Sequence, residues 1–114
     1  MDQALKPETR FKTFQEFWPF YLREHSLPAN RRIHFVGTSL AILVFSFAIF
    51  TANFVLLFAV PIAGYAFAWF GHFVIEKNRP ATFKYPGWSL RGDFTMFFYA
   101  LTGQLGAELR RHGI

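Results

Sequence analysis

The sequence predicts an all-α protein of the integral membrane class. We expect a helical bundle of about four helices, in one domain over residues 1–114: an N-terminal amphipathic helix, a transmembrane helical hairpin and a C-terminal helix. The chain is 53% hydrophobic and only 17% charged, which is unusual for a soluble domain. Between Arg32 and Glu76 there is no Asp, Glu, Lys or Arg, so all 12 basic and 7 acidic residues flank one apolar run. A run of this length nearly fits two membrane crossings of ~20 residues each.

The first predicted element is an amphipathic helix over residues 11–25, FKTFQEFWPFYLREH. Its large apolar residues recur at spacings of three and four with charged residues between them, which is typical of a helix that lies along a membrane face. Pro19 is expected to kink this helix or to begin part of it. The apolar positions are Phe11, Phe14, Phe17, Trp18, Tyr21 and Leu22.

The apolar run itself predicts the hairpin. Ser26 is expected to cap the first span, with Pro28 in its first turn, and the span runs to Phe50. Thr51–Asn53 is the only polar interruption before the second span, residues 54–76. Basic residues precede the first span and follow the second, whereas the turn has none. The positive-inside rule therefore places both open ends in the cytoplasm.

The C-terminal part is predicted to be a loop followed by one helix. Residues 77–88 are basic and contain two prolines, and residues 89–111 have a helical pattern. The uncharged core of that pattern, residues 94–107, is short for a full crossing. We therefore expect an inclined or interfacial helix that closes the bundle.

Composition excludes several classes of function. There is no cysteine, so disulfides, thiolate metal sites, iron–sulfur clusters and cysteine nucleophiles are ruled out together. The net charge of +5 comes from residues that flank apolar spans, and they form no soluble patch suited to nucleic acid. Anionic membrane lipids are the expected partner of these residues.

The hairpin predicts that histidines meet. His34 lies eighteen residues before Ala52 and His72 lies twenty after it, so each is about 27 to 30 Å from the turn. Both should lie at the same depth, at the cytoplasmic end. A turn in the segment before the first span could bring His25 to the same place. Glu76, four residues after His72, shares its helix face.

Three imidazoles and a carboxylate at a membrane interface suit a divalent metal such as iron, zinc or manganese. A simpler interpretation is equally open at this point: His72 and Glu76 could form an interfacial ion pair or cap a helix end. His25, taken alone, suits an ordinary surface position. His112, in the tail RRHGI, is expected to be solvated or to contact headgroups and is left out of the site.

Two motifs make the chain resemble the Mpo1-like (DUF962) family of small membrane proteins. The first is HSLPANRRIH, residues 25–34, and the second is GHFVIEKNRPA, residues 71–81. The likeness covers roughly residues 17–98. The shorter middle region and abbreviated C-terminal part are more similar to the bacterial members than to the fungal branch, so the resemblance implies a bacterial inner membrane protein.

The resemblance implies an Fe(II)-dependent dioxygenase that uses O2 to shorten 2-hydroxy fatty acids by one carbon. His25, His34 and His72 would bind the iron, although zinc or another divalent ion would suit the same ligands. Glu76 would be a further ligand or would orient an imidazole, and Arg79 would receive the substrate carboxylate. The alternatives are a haem protein with His34 and His72 as axial ligands, and a lipid-binding protein without enzymatic activity. Association between copies of the chain stays open.

Overall fold

A computed structural model describes residues 10–114, and within this range the chain is all-helical, without a β-strand, as predicted. Two compact units are formed. The hairpin unit is His25–Pro80, and the aromatic unit combines residues 10–24 with residues 81–114. The expectation of a single domain over residues 1–114 stays a prediction. The α-helices are α1 (Phe14–Arg23), α2 (Pro28–Phe50), α3 (Ala59–Phe70), α4 (Pro86–Leu101) and α5 (Leu105–Arg111).

The hairpin unit contains both predicted spans. Pro28–Phe50 and Phe54–Glu76 are each 23 residues long and apolar enough to cross a bilayer. Only 22% of the first apolar window and 11% of the second are buried. The core helix of a soluble protein would be mostly buried, so these apolar surfaces are suited to lipid.

The turn between the spans lies where it was predicted. Thr51 ends α2, and Ala52 adopts the left-handed conformation with φ 54°. The backbone N–H groups of Ala52 and Asn53 donate to Ile49 and Ala48, which closes the helix end as a Schellman motif. Asn53 is therefore positioned to start the return segment.

The second span is not a uniform α-helix. It begins with a 3₁₀ turn, Phe54–Phe58, continues as α3, and ends in a π-helical segment, Gly71–Glu76. Pro61 falls in the first turn of α3, the part of a helix in which proline is best tolerated. The sequence correctly predicts the extent of this span but not these changes in helix type.

Small residues bring α2 and α3 close together. A Cβ added to Gly37 would lie 2.8 Å from the Cβ of Phe67 and 3.2 Å from the carbonyl oxygen of Gly64. Close backbone approach over small residues is a common way for membrane helices to associate. This contact fixes the register of the two helices and hence the relative depth of His34 and His72.

The start of α2 differs from the prediction that Ser26 caps it. The N-cap residue is Leu27, and Pro28 occupies the first helical position. The backbone N–H of Leu27 donates to Glu76 Oε1 at 2.7 Å. Leu27 has no side-chain oxygen that could accept from the first N–H groups of the helix, and the Glu76 carboxylate instead binds the N–H of the N-cap residue itself, as the glutamate of a capping box does.

The aromatic unit is built on one face of α1. Thr13 caps this helix by accepting from the Glu16 N–H at 3.1 Å. Phe17 and Tyr21 are fully buried, and the Phe17 ring lies 5.2 Å from the Tyr85 ring, between centroids. The tilted and stacked arrangement of these rings is the geometry that aromatic pairs prefer. The predicted amphipathic helix is thus present over Phe14–Arg23. Its apolar residues Phe17, Trp18, Tyr21 and Leu22 are buried in the core of this unit, whereas they were expected to face a membrane.

The predicted C-terminal helix is two helices. It starts earlier than expected, with Pro86 in its first turn, and breaks after Leu101. Gly103 has φ +75°, and the Gln104 N–H donates to Tyr99 O at 2.8 Å. Glycine adopts this left-handed conformation at little cost, so Gly103 ends α4 and allows α5 to begin at Leu105.

Candidate metal centre

Three buried histidines of the hairpin unit meet at one point. His25 lies just before α2, His34 lies in the second turn of α2, and His72 lies in the π-helical segment. Their exposed fractions are 1%, 3% and 3%. His25 Nε2 is 3.1 Å from His34 Nε2 and 3.0 Å from His72 Nε2. The ring planes are nearly perpendicular to one another, with interplanar angles of 79° to 89°.

Hydrogen bonds on the outer side of the cluster orient two of the rings. His34 Nδ1 lies 3.0 Å from the carbonyl oxygen of Asn30, and His72 Nδ1 lies 2.7 Å from Asn78 Oδ1. Both oxygens can only accept, so each Nδ1 carries the proton of a neutral imidazole. The Nε2 atoms of His34 and His72 are therefore left with lone pairs that point at His25.

The π-helical segment and its end hold His72 in place. Lys77 takes the left-handed conformation, φ 59°, and ends the segment. The Asn78 backbone N–H then donates to His72 O at 2.9 Å, while the Asn78 side chain binds the imidazole of the same residue. Single π-helical turns are rare and occur frequently at functional sites. Here the segment places Asn78 so that its backbone N–H binds the carbonyl oxygen of His72 and its side chain binds the imidazole of the same residue.

An arginine of α2 positions His25. Arg31 donates through one nitrogen to the carbonyl oxygens of His25, at 2.7 Å, and of Ser26, at 3.0 Å. This folds the segment before α2 back onto the helix that carries His34. The turn that the sequence required for His25 to join the cluster is thus held by a charged hydrogen bond.

The donor set fits a metal ion. His25 Nε2 can donate a proton to only one of the two neighbouring Nε2 atoms, so with neutral imidazoles at least one lone pair in the cluster has no donor. A cation bound by the Nε2 atoms would satisfy all of the lone pairs. Two donors bound at right angles, each about 2.1 Å from one ion, lie about 3.0 Å apart. The two Nε2 separations, 3.0 and 3.1 Å, match this spacing.

The same geometry disfavours the haem alternative. A porphyrin between His34 and His72 needs open space around the line that joins its two axial ligands. His25 Nε2 is within 3.1 Å of both Nε2 atoms and occupies that space. The cluster is therefore suited to a bare ion and not to a haem.

Two other predicted site residues lie beside the cluster in sequence and are engaged differently. The Glu76 carboxylate accepts from the Leu27 N–H at 2.7 Å and lies 3.5 Å from Ser26 Oγ. The group of potential metal ligands in the described residues contains the three histidines without Glu76. Arg79 is exposed, three residues beyond the π-helical segment. Catalytic roles for Glu76 and Arg79 stay predictions. His112 belongs to the aromatic unit, where its Nε2 lies 3.6 Å from Glu108.

Sequence reasoning missed the asparagines of the site. Asn78 binds His72, whereas Glu76 was expected to be the residue that orients an imidazole. Asn30 gives its backbone carbonyl to His34, and its side chain is fully buried beside the cluster. The signal for Asn30 was available, because it lies four residues before His34 and so on the same helix face. No periodicity predicts the Asn78 contact, which depends on the π-helical segment.

The fold and this cluster define a class of protein: a helical-hairpin protein with a buried three-histidine group at the open end of two candidate membrane spans. Residues 11–105 match the family described as "Mpo1-like: 2-hydroxy-palmitic acid dioxygenase Mpo1-like". The chain belongs to the Mpo1-like family. No curated protein and no solved structure shows significant similarity to the chain.

Proposed function

We propose that this chain is an Fe(II)-dependent dioxygenase of membrane lipid metabolism that acts on 2-hydroxy fatty acids. The observation that carries the proposal is the set of three buried imidazoles: His25 Nε2 lies 3.0 to 3.1 Å from the Nε2 atoms of the other two, and the potential ligand atoms all lie within 4.8 Å of one another. His25, His34 and His72 would hold the ion. The family description names a 2-hydroxy-palmitic acid dioxygenase, which supports the substrate class.

The proposed location is the bacterial inner membrane, with the histidines at the cytoplasmic face. Support comes from the two apolar helices and from the basic residues at the open ends of the hairpin, Arg31, Arg32, Lys77 and Arg79. At this depth a fatty acid keeps its tail in the lipid and presents its carboxyl end to the histidines. The histidines would therefore lie beside the carboxyl end of the fatty acid, which is the end that reacts.

The proposed reaction converts a 2-hydroxy acid and O2 into the acid shortened by one carbon, CO2 and water. The bond between C1 and C2 breaks, C1 leaves as CO2, C2 becomes the new carboxyl carbon, and O2 takes up four electrons. When bound, ferrous iron would supply the redox chemistry and the coordination of the substrate's oxygens. The chain's own residues position, shield and orient the reactants.

Several residues have specific proposed tasks. Burial of the histidines excludes bulk water from the reacting centre. Arg79 would attract the substrate carboxylate as it approaches from the lipid. Glu76 holds the start of α2 by accepting from the Leu27 N–H. Asn30 and Asn78 keep Nδ1 of two histidines protonated, which leaves their Nε2 atoms available as ligands.

Metal analysis of the detergent-purified chain tests the proposal. We expect about one iron per chain, falling at least tenfold in His34→Ala and in His72→Ala, because each variant loses one of three ligands. His112→Ala is the matched control and should retain its metal. Wild-type metal content in both cluster variants would refute the site. A turnover assay with 2-hydroxypalmitate and O2 then separates a dioxygenase, which releases pentadecanoate, from a lipid-binding protein without activity.

A further inference from the structure

The side chain of Asn30 is a buried polar group that the metal site leaves unused. Asn30 is 0% exposed, and neither Nδ2 nor Oδ1 has a hydrogen-bond partner among residues 10–114. A primary amide has two donors and an accepting oxygen, and native proteins rarely bury all of them without a partner. Such a group is costly unless something that enters the site binds it.

The position of this amide places it next to the histidines. A Cβ added to Gly71 would lie 1.8 Å from Asn30 Oδ1 and 3.6 Å from His34 Cε1. The Asn30 amide oxygen and the ring carbon Cε1 of His34 therefore both border the space beside the Gly71 Cα. Asn30 Oδ1 lies against the bare Cα of Gly71. The two Nδ2 hydrogens have no acceptor among the described residues.

We propose that the Asn30 amide binds the carboxylate of the 2-hydroxy fatty acid, with Nδ2 donating to a carboxylate oxygen. This rests on the proposed function, because the metal site is what brings that carboxylate to the histidines. A hydrogen bond to a charged acceptor is among the stronger ones in proteins. Asn30 thus has two separate tasks: its backbone carbonyl orients His34, and its side chain recognises substrate.

This division of tasks allows the side chain to be tested without disturbing the metal. Asn30→Leu keeps the volume and the backbone carbonyl but removes the donors. Bound to ferrous iron under anaerobic conditions, the full-length variant should retain wild-type metal content and bind 2-hydroxypalmitate at least tenfold more weakly than the wild type. Its thermal midpoint without lipid should be unchanged or higher, since an unpaired amide has been removed from the interior.

A second variant tests recognition directly. Asn30→Asp replaces the donor by an acceptor of the same shape, so it should repel the carboxylate of 2-hydroxypalmitate. It should favour 2-hydroxypalmitamide, whose amide can donate, and the ratio of the two affinities should shift at least tenfold from wild type. Asn53→Leu and Asn53→Asp, at the exposed hairpin turn, are the controls and should behave as wild type.

The outcomes separate the two proposals. A wild-type chain that binds iron but no 2-hydroxypalmitate overturns the proposed substrate and, with it, the role of Asn30. Wild-type binding that survives in Asn30→Leu, or an unchanged preference in Asn30→Asp, overturns the Asn30 proposal alone. A large fall in the thermal midpoint of both Asn30 variants would show that the amide is structural and would also overturn it.

Discussion

The polar groups at the centre of the hairpin unit and those at the centre of the aromatic unit are bonded in different ways. In the aromatic unit the Tyr21 hydroxyl donates to Asp93, and the Trp18 indole donates to Glu108 at 2.8 Å. In the hairpin unit three Nε2 atoms converge, and the Asn30 amide has no partner among the described residues. Buried polar groups that hydrogen-bond to one another stabilise a fold. Buried polar groups that lie close together without hydrogen-bond partners are suited to binding a ligand.

The largest effect that we predict on stability tests the aromatic unit. A Cβ added to Gly92 would lie 2.8 Å from two ring carbons of Tyr21. Tyr21 is fully buried, stacks on Trp18 and donates to Asp93, so its ring cannot move aside. Gly92→Ala should therefore lower the free energy of unfolding by about 3 kcal/mol, the upper range for overpacking. Chemical unfolding in mixed micelles would measure it.

The equivalent change in the hairpin unit provides the comparison. A Cβ on Gly71 meets the end of the Asn30 side chain, and not an aromatic ring. Gly71→Ala should lower the free energy of unfolding by about 1 kcal/mol, because the added methyl group displaces the Asn30 side chain, which has no hydrogen-bond partner among residues 10–114. Gly64→Ala is the control, because its Cβ would make an ordinary contact at 3.8 Å. A larger loss for Gly71→Ala than for Gly92→Ala would contradict the distinction between the units.

The next effect concerns the residue that orients His72. Asn78→Ala removes the acceptor at Nδ1 but leaves the backbone bond to His72 O intact. Partners of metal ligands typically contribute tenfold to a hundredfold in metal affinity. We expect a loss in that range, about 1.4 to 2.7 kcal/mol. Competition with a metal chelator would measure it. Asn53→Ala should match wild type, and equal affinities in both variants would show that Asn78 does not support the site.

How far the sequence predicts this site depends on the kind of contact. Counting residues through the hairpin was sufficient to bring His34 and His72 to one depth, because a regular helix converts residue number into length. The place of His25 needed a turn, and the Arg31 bonds that hold it involve no periodic pattern. The role of these histidines as metal ligands stays a prediction.

Helix ends were harder to predict than helices. The break at Gly103 and the π-helical end of the second span follow from local backbone conformations that apolar periodicity does not reveal. The acceptor at the start of α2 comes from Glu76, 49 residues away in sequence. Ser26 was a reasonable local candidate for the N-cap, but Leu27 occupies that position and its N–H binds a distant carboxylate, which only the tertiary structure could show.

A smaller effect should appear as a pH dependence of the aromatic unit. Burial raises the pKa of Asp93 from 3.8 to about 7, opposed by the hydrogen bond from Tyr21. The folded chain therefore keeps a proton between pH 3.8 and 7 that the unfolded chain releases. The free energy of unfolding should fall as pH rises through that window and level off above it.

Asp93→Asn tests this dependence, because it keeps an acceptor for Tyr21 but cannot ionise. Between pH 6 and 8 the wild type should lose about 1 to 2 kcal/mol that the variant retains. Unfolding measured across this range would give both slopes. Glu16→Gln, on an exposed face of the same unit, should keep the wild-type slope, and a wild-type slope in Asp93→Asn would assign the effect to another group.

The smallest effect decides between the two interpretations of Glu76. As a helix cap, Glu76 needs only an oxygen that accepts from the Leu27 N–H at 2.7 Å. Glu76→Gln keeps that oxygen and loses only the favourable charge at a helix N-terminus, about 0.5 kcal/mol, whereas Glu76→Ala loses the cap, about 1 kcal/mol. Both variants should bind wild-type amounts of metal. If Glu76 were a ligand, its loss would lower metal content as strongly as loss of His72, and the paired measurement of stability and metal separates the two roles.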